Sequence, residues 1–123
     1  MTAREPRDLH RLFQDGVNAG DVDALLQLYE AEATLIDPGG QPVTGTDALR
    51  AFLEQLVAMQ FRVELETRTV HTSGDIALLS NTWRGTVTTD DGTVELHGTT
   101  AEVGRRQPDG SWRYVVDDPA FVA

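Results

Sequence analysis

The chain lacks two residue types that commonly carry chemistry or charge. It has no cysteine, which excludes disulfides, thiolate nucleophiles and cysteine-based zinc sites. It also has no lysine, so arginine supplies every permanently positive side chain, and the formal net charge is −10. Because phosphate binding needs clustered basic residues, this acidic balance argues against a nucleic-acid partner.

Long apolar runs are missing as well. No segment is apolar over the length that a membrane-spanning helix needs, and the first residues lack the basic-then-apolar pattern of a signal peptide. We therefore expect a cytoplasmic protein with no membrane partner. The histidines, His10, His71 and His97, are too far apart for metal-ligand spacing, so we expect neither a metal site nor a cofactor.

The length and composition fit one globular domain over residues 1–123. A chain of 123 residues can bury a core but is short for two domains. Hydrophobic residues make up 40% of the chain and charged residues 24%, which is typical of folded proteins rather than disordered ones.

Helical periodicity dominates the first half of the sequence. Gly20 is expected to end a first helix, Asp21 suits the N-cap of a second, and Thr46 or Asp47 begins a third. The apolar residues at helical spacing, which we expect to face the core, are Leu9, Leu12, Phe13 and Val17, then Val22, Leu25, Leu26 and Tyr29, then Leu49, Phe52, Leu53 and Leu56.

Strand periodicity dominates the second half. A short strand is expected over residues 34–36 and a turn over residues 37–40, and after Phe61 the apolar period changes to two. Turn signals rich in Asp and Gly divide the remainder into about four strands of an antiparallel meander. The sequence therefore predicts an α+β fold that is cone-shaped, with three N-terminal helices packed on a strongly curved, mainly antiparallel sheet.

Asp37 is the first candidate for catalysis. It follows the apolar pair Leu35 and Ile36, where burial would make its carboxylate a usable general base. Asp before Pro is equally an ordinary turn signal, because proline disfavours the helical conformation in the residue before it. From the residues alone, both interpretations stay open.

Four segments carry a family resemblance: residues 18–21, 29–38, 39–45 and 106–112. Their order resembles that of the nuclear transport factor 2-like (NTF2-like) superfamily, in particular steroid Δ-isomerases and SnoaL-like polyketide cyclases. The resemblance covers essentially the whole chain and implies a conical fold and a homodimer. Because this fold hosts isomerases, cyclases, dehydratases and non-catalytic modules, it does not assign one activity.

The resemblance also implies roles for particular residues. In ketosteroid isomerase an Asp base works with a Tyr and a protonated Asp that donate to the oxyanion. By this resemblance Asp37 matches the base and Glu102 matches the protonated acid. Phe13 stands where the family has the Tyr, and loss of one such donor costs about a hundred- to thousand-fold in rate. Steroid isomerisation is therefore in doubt.

Strand alternation places Glu102 on one face of its strand together with Gly98 and Thr100. If that face lines the cone, Glu102 is a carboxylic acid kept neutral in a poor solvent and able to donate a hydrogen bond. In the alternative, Glu102 pairs across the sheet with an arginine such as Arg84 or Arg113.

The sequence thus predicts a small-molecule enzyme that abstracts a proton next to a carbonyl, with Asp37 as base and Glu102 as donor to the enolate oxygen. The expected substrate is a small apolar molecule that carries a carbonyl group. The alternative is a non-catalytic ligand-binding or dimerisation module of the same fold. The residues expected to line the pocket are Phe13, Leu25, Tyr29, Phe52 and Thr100.

Several other polar residues receive expectations from their local pattern. His10 falls on the polar side of the first helix and is expected to be exposed. Asp117 and Asp118 are adjacent like charges, which usually face solvent, here at the end of the last strand. Asn81 or Arg84 is a candidate to orient a polar group of the substrate.

Overall fold

The computed structural model describes residues 2–122 of the chain. In chain order the elements are α1 (Asp8–Ala19), α2 (Val22–Leu26), β1 (Tyr29–Ile36), β2 (Pro42–Thr44), α3 (Thr46–Ala58), β3 (Arg62–Ser73), β4 (Ile76–Thr89), β5 (Gly92–Arg106) and β6 (Trp112–Val122). The helices precede a long meander, as predicted. Within the described residues, none of the helices combines the length and the apolar character needed to cross a bilayer.

The helix boundaries follow the local signals. Gly20 ends α1 in the left-handed conformation, with φ at 68°, which glycine adopts without a steric penalty. Asp21 caps α2, because its side chain accepts a hydrogen bond from the N–H of Ala24 at 3.0 Å. Helix α3 begins at Thr46, one of the two predicted starts.

Strand β1 corrects the prediction between α2 and α3. It begins at Tyr29, so this residue belongs to the sheet and not to the apolar stripe of α2. The N–H of Tyr114 donates to the carbonyl of Leu28 at 2.6 Å, and β1 pairs in parallel with β6. The short strand β2, which the sequence pattern did not reveal, pairs with the end of β1. Both corrections arise from pairing between separate segments, which local periodicity does not record.

The strands form one sheet in the order β2-β1-β6-β5-β4-β3. Strands β1 and β6 are parallel, and the other neighbouring pairs are antiparallel. Register shifts interrupt the β1–β6, β3–β4 and β5–β6 ladders. Such irregularities bend a strand and increase its twist. The predicted curved, mainly antiparallel sheet is confirmed.

Alternation along the strands separates a buried face from an outer face. In β4, Ala77, Leu79 and Asn81 are buried, whereas the intervening Leu78 is 51% exposed. The helices cover the buried face with apolar side chains that include Leu9, Val17, Leu49 and Leu53. The outer face remains open, and the expected homodimer stays a prediction.

Candidate functional site

Polar side chains meet at the centre of the buried face, where an ordinary core would be apolar. We call these residues the buried polar cluster: His10 of α1, Tyr29 of β1, Thr67 of β3, Asn81 of β4, Glu102 of β5 and Asp117 of β6. The ladders align them, because Thr67 is opposite Asn81 and Glu102 is opposite Asp117. Residues opposite each other on one face of a sheet have neighbouring side chains.

His10 links α1 to this cluster. Its Nε2 lies 2.8 Å from Oε1 of Glu102, and its Nδ1 lies 2.8 Å from Oγ1 of Thr67. The residue is only 2% exposed, which corrects the expectation that it faces solvent. The signal in the sequence is Gln14, one helical turn later, whose Oε1 accepts the N–H of Leu65 in β3 at 2.8 Å. This polar stripe of α1 faces the sheet.

Glu102 is buried, with 3% of its surface exposed, and so is Thr100, which strand alternation placed on the same face. Its Oε2 accepts a hydrogen bond from Nδ2 of Asn81 at 3.1 Å, and its Oε1 faces His10. Its partners are therefore a histidine and an amide rather than either arginine of the alternative interpretation. Oδ1 of Asn81 is buried and has no hydrogen-bond partner within the described chain.

Asp117 is buried beside Glu102, and the hydroxyl of Tyr29 donates to its Oδ2 at 2.6 Å. Burial, followed by the negative charge of Glu102, raises the pKa of Asp117 to about 8, although the hydrogen bond from Tyr29 opposes this rise. Asp117 is therefore mostly protonated at neutral pH. This corrects the expectation that Asp117 faces solvent beside Asp118. Strand β6 continues past it, and the register turns Asp117 inward.

Two tyrosines complete the surroundings of Asp117. Their rings pack with centroids 5.2 Å apart. Burial, with a smaller contribution from the neighbouring carboxyls, raises the pKa of both Tyr29 and Tyr114 well above the usual value. Both phenols therefore stay neutral, and Tyr29 remains a donor.

Within the described chain, no group of three or more His, Asp or Glu side chains is arranged to hold a metal ion.

Asp37 lies in the turn between β1 and β2. Its Oδ1 accepts hydrogen bonds from the N–H groups of Gly39 and Gln41, each at 2.9 Å, and the residue is half-buried. Among residues 2–122, no hydrogen bond or ion pair joins Asp37 to Glu102. The geometry matches the turn interpretation, and the role of Asp37 as a base stays a prediction.

Two clefts open beside the sheet. The smaller, of about 340 Å³, lies between α1 and β3 and reaches the buried polar cluster at His10 and Thr67. Its other lining residues are Arg7, Asp8, Arg11, Gln14 and Leu65. The larger, of about 1050 Å³, extends across β3, β4 and β5 and includes Trp83 and Gly98 in its lining.

The residues predicted to line the pocket are placed differently. Leu25 and Tyr29 belong to the packed core, and Phe13 and Phe52 are partly buried against it. Thr100 is buried, and its Oγ1 accepts the N–H of Asn81 at 2.9 Å. None of these five lines either cleft. Tyr29 therefore belongs to the buried polar cluster and Thr100 is hydrogen-bonded to it, whereas the other three are part of the apolar core or pack against it.

Trp83 lies between the buried polar cluster and the larger cleft. It is the next inward residue of β4 after Asn81, and its Nε1 donates to the carbonyl of Pro119 at 2.7 Å. The indole lies against β5, where a Cβ on Gly98 would be 2.7 Å from Nε1. Because the indole occupies this space, the smaller cleft is the more direct approach to the cluster.

Gly98→Ala tests this close approach. We expect a loss of about 1–3 kcal/mol in the free energy of unfolding, because the added methyl displaces the indole and breaks its hydrogen bond to Pro119. Urea denaturation followed by circular dichroism and tryptophan fluorescence measures this loss. Gly104→Ala is the control, since its nearest neighbours would be methyl groups of Leu79 and Leu9 at 3.4 Å. Equal losses in the two variants would contradict the placement of Trp83.

Comparisons with known proteins agree with this architecture. A family model described as a SnoaL-like domain matches residues 9–115. The structure is similar to an NTF2-like protein with a cystatin-like fold from Novosphingobium aromaticivorans, with a TM-score of 0.79 and 21% identity, covering 93% of this chain and 77% of that one.

Two further solved structures are similar over most of both chains. One is a ketosteroid isomerase-like protein from Erwinia carotovora atroseptica, with a TM-score of 0.75 and 21% identity over 91% of this chain and 89% of that one. The other, a candidate dehydratase of the NTF2-like family from Streptomyces avermitilis, has a TM-score of 0.78 and 18% identity over 94% of each chain. At these identities the likeness is one of fold. Since the family model spans most of the sequence, the chain belongs to the SnoaL-like domain family.

Proposed function

We propose that the chain is a small-molecule enzyme that moves a proton next to a carbonyl group. The observation that carries this proposal is the 2.8 Å contact between Nε2 of His10 and Oε1 of Glu102, both almost completely buried. A histidine oriented by a carboxylate is a common general acid and base. A cleft beside the sheet includes His10 in its lining, so a ligand in that cleft would reach the histidine, while Glu102 lies behind it.

The hydrogen bonds of His10 suggest which of its two ring nitrogens takes the proton. When Nε2 of His10 donates to Glu102, Nδ1 is the acceptor nitrogen, and it lies on the side of Thr67 and the smaller cleft. A carbonyl compound in that cleft would lose its α-proton to Nδ1, and Glu102 would stabilise the imidazolium that forms. Arg7 and Arg11 line the same cleft, and their guanidinium groups are candidate donors to the enolate oxygen. His10 would then return the proton to a different carbon.

Asp37 is the second candidate base, as the family resemblance implies. Its carboxylate holds the turn between β1 and β2, which favours His10 over Asp37. Phe13 supplies no donor, and the cleft of about 340 Å³ is at the lower end of ligand-site volumes. These features favour substrates smaller than a steroid.

Isomerisation of cyclohex-3-en-1-one to its conjugated isomer, followed by ultraviolet absorbance, tests the proposal. We expect His10→Gln and Glu102→Gln to lower the catalysed rate by about 10²–10⁴-fold, because general acid–base catalysis typically contributes that much. Asp37→Asn should keep a rate close to that of the unaltered protein. Circular dichroism of each variant controls for loss of folding.

The opposite pattern has a clear meaning. If Asp37→Asn abolishes the reaction and His10→Gln does not, Asp37 is the base. If the unaltered protein does not accelerate the reaction, the alternative of a non-catalytic ligand-binding or dimerisation module gains. A thermal shift produced by the same compound would then support ligand binding, since a ligand stabilises the native state that binds it.

A further inference from the structure

Thr67, His10 and Glu102 form a continuous chain of hydrogen bonds. The threonine hydroxyl lies 2.8 Å from Nδ1 of His10, and Nε2 of the same ring lies 2.8 Å from the Glu102 carboxylate. A hydroxyl, an imidazole and a carboxylate in this succession form the arrangement of nucleophilic triads, which recurs on unrelated folds. Either ring nitrogen can accept the hydroxyl proton when the other is held by the carboxylate.

The two ends of this series of hydrogen bonds, Glu102 and Thr67, differ in their access to solvent. Glu102 is 3% exposed and His10 is 2% exposed. Thr67 is half-buried and lines the smaller cleft. The β3–β4 ladder also shifts register directly after Thr67. Such irregularities are common beside active sites, where they re-aim a side chain. The carboxylate of Glu102 is therefore shielded from solvent, and Thr67 is the end of the series that a ligand can reach.

The cleft also carries donors suited to a developing oxyanion. Gln14 lines it, and because its Oε1 accepts the N–H of Leu65, the other end of the amide, Nε2, carries its donors. Arg7 lines the same cleft, and its guanidinium group is a second candidate donor. Donors close to the carbonyl under attack are what acyl transfer requires besides the nucleophile and its base.

We propose that Thr67 is a nucleophile and that the smaller cleft takes an ester or thioester of a short-chain acid. This activity goes beyond the proposed proton transfer, since it forms a covalent bond to the Thr67 oxygen. Oγ1 of Thr67 attacks the acyl carbon while its proton passes to Nδ1 of His10. The bond to the alcohol or thiol then breaks, and the leaving group takes that proton. Water, deprotonated by Nδ1 of His10, next attacks the acyl carbon of the threonine ester. The bond from the acyl carbon to Oγ1 then breaks, Oγ1 of Thr67 takes the proton back from His10, and the acid is released.

Reaction with p-nitrophenyl acetate tests the nucleophile. We expect release of p-nitrophenolate and the mass gain of one acetyl group, located on Thr67 by peptide mass spectrometry after an acid quench. Thr67→Val keeps the shape of the side chain and should lose both signals. Thr67→Ser should keep them, because serine retains the hydroxyl. Thr69→Val, at an exposed position of the same strand, is the matched control and should react like the unaltered protein.

His10→Gln separates an activated hydroxyl from ordinary surface chemistry. We expect acetylation of Thr67 to slow by about 10²-fold or more, because the hydroxyl loses its general base. Absence of acetyl-Thr67 in the unaltered protein, or unchanged p-nitrophenolate release by Thr67→Val, would overturn the proposal. Enone isomerisation is measured separately, so its failure alongside acetylated Thr67 refutes only the proposed proton transfer, and the reverse result refutes only the nucleophile.

Discussion

Glu102→Ala is expected to lower the free energy of unfolding by about 2–6 kcal/mol, because two buried polar groups lose their hydrogen-bond partner at a cost of about 1–3 kcal/mol each. His10 and Asn81 would both lose the carboxylate to which they are hydrogen-bonded, in a region closed to water. Urea denaturation followed by circular dichroism measures this loss. Glu95→Ala, at an exposed position of the same strand, should change stability by no more than about 0.5 kcal/mol.

Glu102→Gln is a sharper control because it keeps the volume of the side chain. The glutamine oxygen can accept the N–H of His10, and the glutamine amide would face Asn81. Oδ1 of Asn81 has no hydrogen-bond partner among residues 2–122, so rotation of the Asn81 amide by half a turn would let it accept that new donor. We therefore expect a clearly smaller loss than for alanine. Equal losses in the two variants would show that hydrogen bonding to Glu102 contributes little.

The stability of the protein is expected to fall as the pH rises, and Asp117→Asn should remove much of this fall. The pKa of Asp117 is about 8 in the folded chain, against an unfolded value of about 3.9. Between these values the folded state holds a proton that the unfolded state has released. The free energy of unfolding therefore decreases by up to about 1.4 kcal/mol per pH unit for this one group.

Urea denaturation at pH values from 5 to 9 checks this prediction. The stabilisation from protonated Asp117 is fully present below the unfolded pKa and is lost as the pH passes the folded pKa near 8. Asparagine keeps an oxygen that accepts from Tyr29 but does not titrate, so the profile of Asp117→Asn should be flatter. Other titrating groups remain in both proteins, so their difference isolates Asp117. Parallel profiles would contradict the assignment.

Tyr29→Phe should extend this pH dependence upward. The hydroxyl of Tyr29 donates to Asp117 and lowers the pKa of that carboxyl, so its removal raises the pKa further. The decline in the free energy of unfolding should then continue to higher pH than in the unaltered protein. A decline that ends at lower pH would show that Tyr29 does not stabilise the ionised form of Asp117.

The candidate site shows how far a local pattern extends. Alternation along β5 placed Glu102 on the same face as Thr100, because successive side chains of a strand point to opposite faces, and the structure shows that this face is buried. His10 was missed, since its partner Glu102 is 92 positions away and the polar stripe that His10 forms with Gln14 does not by itself show whether it faces the sheet or solvent. Asp117 was missed for a related reason. Its inward orientation depends on the register of β6 against β5, which irregularities within that ladder shift.

Hydrophobic period, capping residues and turn chemistry were enough to predict the helices, the meander and the α+β class. Each of these signals involves residues that are close in the sequence, so it can be recognised before the fold is known. The family resemblance came separately, from four short segments of the sequence. The parallel pairing of β1 with β6, the short β2 and the assembly of His10, Thr67, Glu102 and Asp117 came from packing alone. Each depends on contacts between distant segments, whose register is set by how the whole curved sheet closes over its core.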